Sequence, residues 1–251
     1  MITLTTDFGS SEYVGAMKGV ILSICPTTLI VDITHQIRKF DIRRAAYVIY
    51  SVCRYFPDGT IHVVVVDPGV GTERRGVIIR AGSHIYIGPD NGVFSLLEDI
   101  EEVYEIIYPA KSKTFHGRDV FAPIAARIEC GAKPVEFGKK IEGINKIRFK
   151  KIIEEDKIKG EVVCVDEFGN VITNIKGEDL DKLQISYGDR VVISVKGKKN
   201  KMRFVETYGY AEEGELISLI GSEGYLEIAV NMGNAGRILN LEGGEEVEVS
   251  R

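Results

Sequence analysis

Apolar positions along this chain follow two rhythms, and the change between them falls near Ile158. In the first stretch, short β-rich runs alternate with helical patterns. Ile2 to Thr6 reads as a strand, and Glu12 to Ile24 as a helix carrying Val14, Met17, Val20, Ile21 and Ile24 on one side. Leu29 to Ile33 predicts a second strand, followed by a helix from about Asp41 to Tyr55. Ile61 to Val66 is almost wholly apolar and β-branched, the pattern of a strand covered on both faces. Val77 to Arg80 and His84 to Ile87 flank Ala81-Gly82-Ser83, which reads as a hairpin turn. A further helix is expected from Asp119 to Gly131, with Asp119 as its N-cap. Such alternation predicts an α/β layer structure with a mainly parallel sheet.

After Ile158 the pattern becomes strands and turns without convincing helices. Gly160 to Val165, Val171 to Ile175, Arg190 to Val195, Leu216 to Ile220, Tyr225 to Val230 and Glu246 to Val249 are the predicted strands. Glycines punctuate them at 169, 188, 197, 214, 221, 224, 243 and 244. Short strands with frequent glycine predict a small β-barrel or sandwich. Lys139 to Lys157 is charged and weakly patterned. The expected division is therefore an α/β domain over 1–145, a linker over 146–157 and a β domain over 158–251.

The 251 residues are 44% hydrophobic and 27% charged, enough apolar material for a core, and the net charge is −5. With no basic excess and no Lys/Arg run, nucleic acid is not an expected partner. Cys25, Cys53, Cys130 and Cys164 are scattered without a C-x-x-C pair, and Cys25, Cys53 and Cys164 sit in apolar stretches, as buried thiols do. The absence of a disulfide framework points to a reducing compartment. The N-terminal run reaches Asp7 before any long apolar segment, unlike a signal peptide or a membrane span. The expected location is the cytoplasm, with no membrane association.

Candidate chemistry gathers at the predicted strand ends. The third strand runs into Asp67-Pro68-Gly69-Val70-Gly71, and the first into Thr5-Thr6-Asp7-Phe8-Gly9. In open α/β sheets, ligands bind outside the carboxyl ends of strands, so Asp67 and Asp7 would share one rim. A carboxylate there can accept hydrogen bonds from a ribose diol, although either Asp could simply cap a turn. Gly69 and Gly71 would let backbone approach a ligand. Arg74 stands where a dinucleotide fingerprint would need glycine, and there is no phosphate-binding loop motif, so a nucleoside without a phosphate chain fits better. His116, in Thr114-Phe115-His116-Gly117-Arg118-Asp119, has an uncrowded setting. The spacing of the four histidines is not that of a zinc site, and no Ser lies in G-x-S-x-G. His62 and His84 fall inside strand patterns and read as surface or packing residues.

In the second half, Asp166-Glu167-Phe168-Gly169-Asn170 places carboxylate, aromatic ring and amide at one turn. Phe168 could stack on a flat base and Asn170 bond to its edge or to the ribose, although a plain hairpin turn would also satisfy Gly169-Asn170. Gly221-Ser222-Glu223-Gly224-Tyr225-Leu226-Glu227-Ile228-Ala229-Val230-Asn231 sets small and polar residues around a strand. Ser222, Glu227 and Asn231 are its substrate-binding candidates.

Taken together, these segments resemble the adenosine-forming S-adenosyl-L-methionine hydrolases, the hydroxide adenosyltransferase family related to the fluorinases and chlorinases. The resemblance spans nearly the whole chain and includes Ile24-Cys25-Pro26, Val31-Asp32-Ile33-Thr34-His35 and Pro89-Asp90-Asn91-Gly92 as well. It implies a Rossmann-like N-terminal domain, a C-terminal β-barrel and a homotrimer with active sites at subunit interfaces. By motif, Asp67, Arg74 and His116 would be the water-activating group, with Arg75 a competing choice for the arginine. Asp7 would hold the ribose hydroxyls, and Phe40 would be an apolar wall near the sulfonium. Phe168 and Asn170 would contact the nucleoside, Asp166 and Ser222 the amino and carboxylate ends of the methionine, and Asn231 the adenine. No cofactor and no metal is implied. Glu223 departs from the Arg of the fluorinase.

A charged Asp67 would repel a halide and accept hydrogen bonds from water, which favours hydroxide over halogen transfer. The expected reaction is hydrolysis to adenosine and methionine. A halogenase and a non-catalytic nucleoside sensor are the competing readings.

Overall fold

The protein is described by a computed structural model covering residues 1–251. Two compact units divide it, Met1–Ile147 and Arg148–Arg251.

The first unit contains β1 (Ile2–Thr6), α1 (Glu12–Ile24), β2 (Ile30–Thr34), α2 (Ile42–Val52), β3 (Ile61–Val65), β4 (Gly76–Ala81), β5 (His84–Pro89), β6 (Ile100–Ile106), α3 (Ala122–Glu129) and β7 (Gly138–Ile141). They form one seven-stranded sheet in the order β2-β1-β3-β5-β4-β6-β7. β2, β1, β3, β5 and β6 run one way, and β4 and β7 oppose them, so five of the seven strands share a direction. β4 and β5 form the expected hairpin, turning at Gly82-Ser83 with Gly82 at φ 53°.

Period-two alternation sends neighbouring residues of β3 to opposite faces. Ile61, Val63 and Val65 pack with Met17 and Ile21 of α1 and Ile124 of α3. Val64 and Val66 pack on the other face with Ala45 and Ile49 of α2. Both faces are covered, which explains the continuous apolar run. α2 begins where Asp41 accepts a hydrogen bond from the Arg44 amide at 2.9 Å, an N-cap that satisfies one donor of the first turn.

Two expectations need correction here. A π-helical turn over Gly117–Phe121 precedes α3, and Asp119 lies inside that turn rather than capping it. Asp119 is instead held by a fork from Arg118, at 2.7 and 2.9 Å. Its short polar side chain suggested a cap, but the turn begins two residues earlier, at Gly117, and the adjacent Arg118 takes both carboxylate oxygens. Second, Cys25 and Cys130 are joined in a disulfide, with Cα atoms 6.0 Å apart. It ties the end of α1 to the end of α3, a proximity invisible across 105 residues of sequence. The inference to a reducing compartment, drawn from unpaired cysteines, loses that support. Cys53 and Cys164 are buried thiols.

The second unit contains β8 (Ile152–Ile153), β9 (Lys157–Val165), β10 (Val171–Lys176), α4 (Gly177–Asp181), β11 (Arg190–Val195), β12 (Lys198–Phe204), β13 (Leu216–Ile220), β14 (Tyr225–Val230), α5 (Ala235–Leu239) and β15 (Glu246–Ser250). The order β10-β14-β13-β12-β11-β15-β9 closes on itself through β9–β10, giving a seven-stranded barrel with β8 added outside β9. Closure removes free edges. Ile158, Val171, Ile193, Ile228 and Val249 fill the interior. β12 was not expected, because Lys198, Lys199 and Lys201 mask its alternation; only Met202 and Phe204 are buried in it. β6, β7 and β8 were likewise unexpected, and β7 and β8 fall in the charged stretch read as weakly patterned. No helix is long and apolar enough to cross a membrane.

Candidate active site

β1 and β3 are parallel neighbours with Thr6 opposite Val65, so the chain leaves both at one edge of the sheet. Asp7 follows β1 directly, and Asp67 follows β3 after Val66. A cavity of about 480 Å³ opens there, lined among others by Asp7, Phe8, Tyr13, Phe40, Asp67, Phe115 and His116. That volume lies within the usual range for small-molecule sites, roughly 300–1,000 Å³.

Asp67, Arg74 and His116 are brought together. The Arg74 guanidinium donates through Nε to Asp67 Oδ1 at 2.9 Å and through Nη2 to Asp67 Oδ2. The same Nη2 donates to His116 Nδ1 at 2.9 Å. Asp67 and His116 line the cavity; Arg74 bridges them from behind, its guanidinium carbon 5.4 Å from the centre of the buried Phe121 ring. The Asp67 and Arg74 side chains are only 4% and 11% exposed, so the pairs operate with little water to weaken them.

Guanidinium has donors and no acceptor, so His116 Nδ1 must offer its lone pair. The imidazole is then neutral, with its proton on Nε2. Burial holds the His116 pKa below its ordinary value, and the Arg74 charge adds to this; Asp67 and Asp119 pull the other way and do not prevail.

Loop geometry keeps the group assembled. Gly71 has φ 76°, and a Cβ on it would lie 2.2 Å from the Lys113 carbonyl oxygen. The loop bearing Asp67 and Arg74 therefore docks on the segment leading to His116. Gly71 was expected to approach a ligand; the backbone it approaches is that of Lys113. Asn91 donates to the Val66 carbonyl at 2.9 Å, fixing the residue before Asp67. Arg75 pairs with the buried Asp90 instead of Asp67, so the geometry selects Arg74.

On the other side of the cavity, Asp7 is buried and its Oδ2 accepts from the Phe40 amide at 2.8 Å. Phe40 is 64% exposed with φ 68°. Sequence reading did not single out Phe8, Tyr13 and Phe115. Their rings meet edge to face with centroids 5.1–5.8 Å apart and form an apolar wall. The available signal was adjacency, since Phe8 follows Asp7 and Phe115 precedes His116.

The remaining candidates belong to the second unit. Asp166 accepts from the Asn170 amide at 2.8 Å and from Asn170 Nδ2 at 3.0 Å, closing the turn in which Phe168 stands 81% exposed. Gly169 turns here at φ 87°, and a Cβ would meet Asn234 at 2.2 Å. Ser222 Oγ lies 3.4 Å from Glu223 Oε1. Glu227 is buried and accepts from the Tyr208 hydroxyl at 2.7 Å. Burial raises the Glu227 pKa, with Asp166 and Glu223 adding to the shift against the Tyr208 bond. Asn231 uses its amide to donate to the Ala211 carbonyl at 2.8 Å. Tyr208 was missed by sequence reading, lying in a segment with no motif.

Comparison with known proteins places the chain in a family. The model of the SAM hydroxide adenosyltransferase N-terminal domain matches residues 2–138, and that of the corresponding C-terminal domain matches residues 160–248. The chain is 38% identical to a Methanocaldococcus jannaschii protein named (R)-S-adenosyl-L-methionine hydrolase, over 99% of this chain and 95% of that one. It is 29% identical to a fluorinase of Nocardia brasiliensis, over 99% and 96% of the two chains. A crystal structure of an uncharacterized conserved protein from Thermotoga maritima superimposes with a TM-score of 0.92 at 38% identity, covering 100% of both chains. With both domain models matched in order and full-length relatives above 30% identity, the chain belongs to the SAM hydroxide adenosyltransferase family.

Proposed function

We propose that this protein hydrolyses S-adenosyl-L-methionine to adenosine and L-methionine, with Asp67, Arg74 and His116 holding the attacking water. The observation that carries the reading is the continuous Asp67–Arg74–His116 bond chain at the cavity. The names of the hydrolase relatives specify R configuration at sulfur, and that epimer is taken as the substrate here.

The water oxygen forms a bond to the ribose 5′ carbon while the carbon–sulfur bond breaks on the opposite side. The bonding pair stays on sulfur, and methionine leaves as a neutral thioether without a general acid. His116 carries its proton on Nε2 and has Nδ1 occupied by Arg74, so it serves as a hydrogen-bond donor to the water oxygen. Asp67 is the acceptor for the proton lost from water, because each of its oxygens keeps a lone pair beyond its bond to Arg74. In-line positioning can supply roughly 7–11 kcal/mol in favourable cases, and base assistance about 10²–10⁴-fold. The step as written needs no metal or cofactor, and turnover is expected to persist with a chelator present.

Asp7 is proposed to bind the ribose hydroxyls, and Phe40 to cover the reacting carbon. Phe168, Asn170 and Asn231 are assigned to the nucleoside, and Asp166, Ser222 and Glu227 to the amino-acid end. The resemblance also supports a homotrimer, which light scattering would read as three times the chain mass; the cytoplasmic location expected from the N-terminal run is read by fractionation.

Hydrolysis in heavy-oxygen water tests the reaction. Label in the adenosine 5′-hydroxyl is the expected result, and adenosine released without label would sink it. The fluorinase relatives make halogen transfer the second reading. Incubation with fluoride or chloride is expected to give no 5′-halo nucleoside, since the Asp67 carboxylate lining the cavity would repel an anion.

A further inference from the structure

Four polar side chains on three elements run in a line behind Asp7. Lys18 of α1 donates to Asp32 Oδ2 in β2. His35 Nε2 lies 3.1 Å from Asp32 Oδ1, and His35 Nδ1 lies 2.9 Å from Thr6 Oγ1. Thr6 Oγ1 in turn accepts from the Phe8 amide at 3.2 Å. Both ends of this line are donors only, a lysine and a backbone N–H. The Asp32 carboxylate lies beside Nε2 outside hydrogen-bond geometry and favours the proton there by its charge, so that Nδ1 accepts the Thr6 hydroxyl.

Asp7 sits between the two residues that His35 fixes through Thr6. The His35 carbonyl also accepts from the Gly9 amide at 2.7 Å, while Asp7 accepts from the Phe40 amide. The β1–α1 and β2–α2 connections are thus stitched together at His35 on one side of Asp7 and at Phe40 on the other. The His35 side chain is 14% exposed and does not line the cavity that holds Asp67 and His116.

We propose that His35 is a positioning residue that, through Thr6, holds the Asp7 carboxylate in the orientation that grips a ribose diol. This rests on the reading of Asp7 given above. It predicts that loss of His35 weakens ribose recognition and leaves the bond-breaking step alone, because Asp67, Arg74 and His116 are held by other loops.

The test is calorimetric binding of adenosine and of 2′,3′-dideoxyadenosine to the full-length protein and to three variants. In His35→Asn the amide places a polar atom where Nδ1 was, keeping the Thr6 bond. In His35→Gln it places one where Nε2 was, keeping the Asp32 contact only. Expected is about a 10-fold weaker adenosine Kd in His35→Ala and His35→Gln, as for one lost hydrogen bond, with His35→Asn near wild type. Dideoxyadenosine should bind all four proteins alike. In turnover, KM should rise by a similar factor with kcat within about twofold. Wild-type binding in His35→Gln beside weak binding in His35→Asn would overturn the proposal, as would an equal loss with the dideoxy ligand. Asp7→Asn serves as the separate control: if it too weakens both ligands equally, the ribose reading of Asp7 fails, whatever the His35 variants do.

Discussion

Arg74 donates to Nδ1 of His116 at 2.9 Å and thereby decides which imidazole nitrogen holds the proton. A residue usually assumed to accept protons is turned into a donor by its neighbour. In the proposed reaction, water activation then falls to Asp67, the other partner of the same guanidinium.

Arg74→Lys is expected to lower kcat by about 10²-fold or more with adenosine affinity little changed. An ammonium is a point donor without a planar fork, so it cannot hold both Asp67 oxygens and His116 at once. Adenosine release measured beside calorimetric adenosine binding checks this. Lysine restoring full turnover would show that charge alone suffices.

The pH profile should carry an acid limb from His116. Protonating Nδ1 sets an N–H against the Arg74 N–H groups, so activity is lost as pH falls through the His116 pKa and is level above it. Because burial and Arg74 hold that pKa below its ordinary 6.5, the midpoint in kcat/KM should fall under 6.5. A midpoint above 6.5 would contradict the assigned proton.

Gly71→Ala should cost both stability and turnover. Its Cβ would lie 2.2 Å from the Lys113 carbonyl, and φ 76° is strained for alanine, so the Asp67 loop must move off the His116 segment. A loss of at least 1 kcal/mol in urea unfolding is expected, on the order of one strained backbone position. The kcat should fall along with it.

Acid should destabilise the fold through His62. Its ring is fully buried, bonded to Thr3 at 2.7 Å, stacked on Tyr86, and 3.4 Å from His84. Burial, with His84 adding, pushes its pKa down from 6.5 to about 3. Below 6.5 the unfolded chain takes up the proton first, so stability is full above that pH and declines as pH falls toward about 3. Each unit of depression corresponds to about 1.4 kcal/mol. Urea unfolding across this window should show the slope, and His62→Asn should flatten it.

Reducing the Cys25–Cys130 disulfide should lower the melting temperature. It closes a loop of 105 residues, for which the chain-entropy model gives a ceiling of about 4–5 kcal/mol. Scans with and without reductant, repeated on Cys25→Ser with Cys130→Ser, check it. Identical curves for oxidised and reduced wild type would mean the bridge adds nothing.

The sequence by itself determined many of the elements and the motif-bearing loops, though not β6, β7, β8 or β12. Helix Glu12–Ile24 was legible to the residue because its periodicity reports which face is buried, and strand Ile2–Thr6, buried throughout, because β-branched residues crowd it. The positions of Asp7 and Asp67 at strand ends were legible for the same reason. Tertiary structure decided the pairings. That Arg74 rather than Arg75 meets Asp67, that Gly71 meets Lys113, that Cys25 meets Cys130 and that His35 stands behind Asp7 all depend on distances between segments far apart in the chain. A pattern along one strand specifies which way a side chain faces; only the packed sheet and its loops specify what it faces.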